Sequence, residues 1–97
     1  MWRRLLRNYE LVLMLDPEVD EERLAVVMDR IAGMIGDGEV IDQESWGRKK
    51  LAYKIGTLTD ANYHHAHLTM EGEASKELEN GLKLTDDVLR HLLVRED

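Results

Sequence analysis

With 97 residues, 43% of them hydrophobic and 34% charged, the chain (residues 1–97) fits one globular domain with a single core; two cores would be starved of buried surface. It has no cysteine, which excludes a disulfide framework, a thiolate metal site and thiol catalysis, and its net charge of −7 argues against a generic nucleic-acid binder with a basic surface. No apolar run approaches the roughly 20 residues of a membrane span, and M-W-R-R-L-L-R is too short for a signal peptide, so the expected compartment is the cytoplasm.

Tyr9 to Leu15 reads as a first strand, with Tyr9, Leu11, Leu13 and Leu15 on one face and Glu10, Val12 and Met14 on the other. Asp16-Pro17 ends it, because proline removes a ladder donor and fixes its torsion. Asp20 is the predicted N-cap of a helix from Asp20 to Ile35, and the dipole favours Glu21 and Glu22 in its first turn. Leu24, Val27, Met28, Ile31, Met34 and Ile35 form its apolar stripe, and Gly36-Asp37-Gly38 stops it.

Glu39 to Ile55 reads as a long second strand in which Gly47 is a bulge or close-approach point. Within it, W-G-R-K-K-L-A-Y (Trp46 to Tyr53) carries Arg48, Lys49 and Lys50. Leu51, Tyr53 and Ile55 fall on one side and Ala52 and Lys54 on the other, so a buried sheet edge bearing a block of positive charge is expected. Gly56 to Asn62 holds turn residues leading to a third strand, Tyr63 to Met70. A second helix, Glu73 to Leu84, repeats Ala74, Leu78 and Leu82 at a four-residue spacing. Thr85-Asp86-Asp87 turns the chain into a fourth strand, Val88 to Val94.

The order βαββαβ is that of the α+β ferredoxin-like arrangement, with two helices on one face of a four-stranded antiparallel sheet. The other face is left bare. Val12, Met14, Tyr63, Trp46 and His65 are placed there as a protein-partner face, since a contiguous exposed apolar patch marks a partner site.

Candidate chemistry is thin. If Leu68 and Met70 face the core, His64 joins them while His65 and His67 point the other way. That leaves a two-ligand pair with no carboxylate spaced to complete it, so no metal site is expected. Ser45 and Ser75 lack the glycine context of a nucleophile elbow, and G-D-G is too short to cradle a phosphate. Neither an enzyme nor a cofactor nor a small-molecule substrate is indicated.

The cations are distributed unevenly. Arg3, Arg4 and Arg7, then Arg48, Lys49, Lys50 and Lys54, account for seven of the thirteen, away from the acids at Asp16 to Glu22 and Glu71 to Glu79. Arginine bonds phosphate oxygens through its planar fork, and each phosphate neutralised releases counterions. Arg48, Lys49 and Lys50 are therefore the first RNA-binding candidates, and Arg3, Arg4 and Arg7 the second. Tyr9, Trp46, Tyr53 and Tyr63 are available for stacking, although the paired aromatic motifs of an RNA-recognition module are absent.

W-G-R-K-K-L-A-Y-K-I, together with R-N-Y-E-L-V-L-M-L-D-P from Arg7 to Pro17, resembles the bacterial small-subunit ribosomal protein S-six family. The similarity continues through Tyr63 to Met70 and Val88 to Val94. Lys54 stands where that family more often has proline, and Ala61 where a turn glycine is common. The resemblance implies a structural constituent of the small ribosomal subunit that binds the central domain of small-subunit ribosomal RNA together with ribosomal protein S-eighteen. An apolar sheet face suits a basic protein partner that supplies most of the phosphate neutralisation, while this chain's cations touch RNA locally. The competing reading from the residues is a ferredoxin-like protein-interaction or regulatory module that pairs through its open sheet face.

Overall fold

Alternation along the first strand decides how the layers stack. In the computed structural model, which describes residues 5–96, Tyr9, Leu11, Leu13 and Leu15 are buried while Glu10, Val12 and Met14 are half-buried on the opposite face. The elements are β1 (Leu6–Leu15), α1 (Glu21–Met34), β2 (Glu39–Ile55), β3 (Leu58–Glu71), α2 (Ala74–Lys83) and β4 (Val88–Arg95). The strands form one sheet in the order β2-β3-β1-β4, with every neighbouring pair antiparallel.

Both helices supply the same core. Val27, Met28 and Ile31 of α1 and Leu78 and Leu82 of α2 pack with the odd-numbered set of β1 and with Ala66, Leu68 and Met70 of β3. Asp20 caps α1 as expected, its Oδ1 accepting the Arg23 N–H at 2.9 Å. No equivalent side-chain cap opens α2. No helix among the described residues is long and apolar enough to cross a membrane.

The link from α1 into β2 is tight at one residue. A Cβ on Gly38 would lie 1.8 Å from the Thr69 carbonyl oxygen, and that backbone is held in the β2–β3 ladder. Gly38→Ala should therefore destabilise the domain by about 1–3 kcal/mol, as overpacking does. Urea denaturation should show a lower midpoint at unchanged slope. A loss below about 0.5 kcal/mol, typical of an unconstrained surface change, would mean that the connection can shift.

Three features depart from the sequence reading. First, β1 begins at Leu6, because Leu6, Arg7 and Asn8 pair with Glu71, Met70 and Thr69 at the far end of β3. Second, β3 begins at Leu58, so only Gly56 and Thr57 turn the chain. Ile55 pairs with Leu58, and Asp60 and Ala61 pair with Lys50 and Lys49, drawing turn-type residues into the ladder. Third, the edge carrying the basic block is exposed. β1 stops pairing at Asn62, and beyond that rung β2 and β3 continue alone as a two-stranded arm. Leu51 and Ile55 are half-buried there, while Tyr53 is 86% exposed. The arm accounts for the elongated shape, 52 × 25 × 22 Å.

Candidate partner and nucleic-acid interface

The uncovered sheet face is assembled by strand register. Asp42, His67, Glu10 and Val94 form one row across the four strands. Glu44, His65, Val12 and Leu92 form the next, and Gly47, Tyr63, Met14 and Arg90 the third. Directly opposed residues of antiparallel neighbours project to the same side. The face therefore brings together four of the five residues assigned to it, Val12, Met14, Tyr63 and His65.

Trp46 joins the face through a bulge. Ser45 pairs with His64 and Gly47 with Tyr63, which leaves Trp46 as the extra residue. Gly47 makes the bulge possible, since its φ of +79° is a conformation that side-chain-bearing residues rarely adopt. The indole then lies parallel to the His65 imidazole, with centroids 4.9 Å apart and an interplanar angle of 14°. The ammonium of Lys49 stands 5.7 Å from the indole centroid.

Sequence alternation missed part of this surface. Leu92 is 54% exposed and Val94 43%, both on β4 beside Val12 and Glu10. Leu92 and Leu93 are apolar neighbours in sequence, so period-two reasoning could not say which faced outward. The answer came from pairing with β1, which puts Leu93 opposite buried Leu11.

The histidines divide as expected, with one correction. His64 is buried on the core side, its Nε2 2.9 Å from the Gln43 Oε1 and its Nδ1 without a hydrogen-bond partner. Burial pushes its pKa down. His65 and His67 lie on the open face. The expectation that no carboxylate completes their set fails, because the β1–β3 register places Glu10 directly opposite His67. The open face consequently has two halves, one of acids and imidazoles and one of apolar side chains.

The basic block is split by the same geometry. Arg48 and Lys50 pair with Asn62 and Asp60, whereas Lys49 pairs with Ala61, so Lys49 points to the opposite side from its two neighbours. Arg48 donates from its guanidinium to the Asp60 carboxylate. That hydrogen bond is the main reason Asp60 titrates below the usual carboxylate range and Arg48 above the usual arginine value. Arg7 stands nine residues further along β3, opposite Met70, or about 30 Å from the arm's cations at roughly 3.3 Å per residue. Arg3 and Arg4 lie outside the described residues. Arg7 therefore does not share a patch with Arg48, Lys49 and Lys50.

The depressed Asp60 pKa has a sign that can be tested. Because the folded value lies below the unfolded one, the pair's contribution is fully present above about pH 4 and is lost as pH falls through the folded value. Asp60→Asn should make the acid limb of the stability profile shallower below about pH 4. The effect should be small, since the Arg48 side chain is 58% exposed. An acid limb identical to that of the parent chain would mean that solvent has cancelled the interaction.

A groove of about 210 Å³ links the arm to the open face. Leu51, Tyr53 and Ile55 line it from the arm, and Met14, Tyr63 and Arg90 from the sheet. The apolar face, the exposed Tyr53 ring and the side chains of Lys54 and Arg90 thus meet along one groove.

A family sequence model described as Ribosomal protein S6 matches residues 8–95. The chain is similar to "Small ribosomal subunit protein bS6" of Carboxydothermus hydrogenoformans, 37% identical over 95 residues that cover 96% of this chain and 99% of that protein. It is also similar to the protein of the same description from Beutenbergia cavernae, 40% identical over 94 residues, covering 95% of this chain and 98% of the relative. Among solved structures, the crystal structure of 30S ribosomal protein S6 from Thermotoga maritima superposes with a TM-score of 0.80 at 26% identity, covering 95% of this chain and 89% of that one.

Proposed function

The chain belongs to the ribosomal protein S6 family, and from that premise we propose that it is a non-catalytic constituent of the small ribosomal subunit, binding small-subunit ribosomal RNA together with ribosomal protein S-eighteen. Its place of work is the bacterial ribosome in the cytoplasm. The observation that carries this reading is the uncovered sheet face, on which Leu92, Val94 and Trp46 stay exposed beside half-buried Val12 and Met14. A patch of this kind is unusual on a protein that works alone.

The electrostatics support a division of labour. At −7 this chain suits a basic protein partner, whose own cations would neutralise most of the phosphate charge. The arm supplies local contacts instead. Lys49 and Lys50 are exposed, Lys54 lies near the tip, and the Tyr53 ring is free to stack on a base. The groove between arm and sheet lets one ribonucleoprotein surface engage both.

This can be tested with purified components. The chain should associate with a central-domain fragment of small-subunit ribosomal RNA far more tightly when ribosomal protein S-eighteen is present than when it is absent. Affinity that is equal with and without that protein would reject the shared-site reading.

A further inference from the structure

We propose that the acidic half of the open face is a zinc-class metal site, in which His65, His67 and Glu10 are the three protein ligands and the fourth position is left to water. This goes beyond assembly into the ribosome, and it rests on side-chain geometry alone.

The ligand atoms are already gathered. The Glu10 Oε2 is 3.1 Å from His65 Nε2 and 3.8 Å from His67 Nε2. One ligand atom from each of Glu10, His65 and His67 lies within 4.8 Å of the other two. In a tetrahedral zinc site with bonds of 2.0–2.1 Å, ligand atoms sit about 3.3 Å apart, so the observed separations need only small side-chain adjustments. Two imidazoles with a carboxylate oxygen form a donor set suited to zinc and its neighbours rather than to calcium or magnesium.

A second observation concerns orientation. His67 Nδ1 is 2.8 Å from the Asp42 Oδ1, so that carboxylate can take an Nδ1 proton and leave Nε2, the nitrogen on the Glu10 side, to bind a metal. Carboxylate–histidine pairing of this kind fixes the tautomer and aim of metal-bound imidazoles. His65 is held too, stacked on Trp46 and meeting the His67 ring edge-on at 4.7 Å. The strands contribute rigidity: Glu10 and His67 are a directly opposed pair in the β1–β3 ladder, and Asp42 opposes His67 from β2. Both imidazole Nε2 atoms converge on one carboxylate oxygen, the arrangement that a shared cation needs.

The test is titration of the full-length chain with Zn²⁺, followed by calorimetry, and with Co²⁺, followed by visible absorption. The expected result is one saturable equivalent of Zn²⁺ and an intense tetrahedral-type Co²⁺ spectrum. His65→Ala and His67→Ala should each weaken binding at least tenfold. Asp42→Asn should weaken it about 10–100-fold without removing a ligand. His91→Ala, on the helix-covered side beside Glu79, should leave it unchanged. Circular dichroism checks the fold of each variant, and the isosteric Glu10→Gln answers the same question should a histidine variant unfold. The proposal is overturned if no saturable equivalent binds, or if His65→Ala, His67→Ala and Glu10→Gln bind as the parent chain does.

Discussion

Leu13→Ala should lower the unfolding free energy by about 2–5 kcal/mol, whereas Met14→Glu, one residue further on, should change it by no more than about 0.5 kcal/mol. Leu13 is fully buried between the sheet and the helices, and truncating it leaves a cavity. Met14 faces the other way, half-buried in the row with Tyr63 and Arg90. In the free domain a new carboxylate there meets water and the Arg90 cation. In the complex the same charge would be desolvated, and partners of this type lose affinity when a charge is left without compensation. Met14→Glu should therefore weaken association with ribosomal protein S-eighteen at least tenfold while the fold survives. Chemical denaturation and a binding titration on both variants check this. If Met14→Glu unfolds the domain as badly as Leu13→Ala, the assignment of faces is wrong. If it folds and binds normally, the partner sits elsewhere.

The second large effect concerns RNA. Replacing Arg48, Lys49 and Lys50 together with alanine should weaken binding to small-subunit ribosomal RNA in the presence of the partner protein. The loss should shrink as salt rises. Each phosphate contact removed should reduce the slope of log affinity against log salt by about 0.7–0.9. Single substitutions should be unequal. Arg48 is already engaged by Asp60, so Lys49→Ala and Lys50→Ala should each cost more than Arg48→Ala. Asp60→Asn is the reciprocal control: it frees Arg48 and removes a negative charge, and affinity should rise. Unchanged binding of the triple variant at low salt would return these cations to the status of solvated surface.

How much of this was legible beforehand depended on whether the information was local. Period-two alternation from Tyr9 to Leu15 separates the core side chains from Val12 and Met14 without reference to any other strand, and the α1 stripe and its Asp20 cap are equally self-contained. Gly47 announced a bulge for the same reason, since a lone glycine in a strand marks a break in pairing. Register is different. That Glu10 would stand opposite His67, or Leu92 opposite Val12, depends on pairing between segments more than fifty residues apart, and shifting either ladder by one residue would turn those side chains to the other face. The arm was hidden by composition. Gly56 to Asn62 reads as a turn, yet cross-strand partners hold Leu58 to Ala61 in the ladder and carry the hairpin past the end of β1. The basic triplet looked like one cluster because sequence proximity ignores that Lys49 points away from Arg48 and Lys50.

The most direct measurement is where the chain travels in a cell lysate. Expressed with an affinity tag in bacteria and sedimented through a sucrose gradient at moderate salt, it should run with the small-subunit peak and bring small-subunit ribosomal RNA with it. The Met14→Glu chain should be depleted from that peak although it folds. A parent chain that stays at the top of the gradient, free of ribosomal RNA, would contradict assembly into the small subunit.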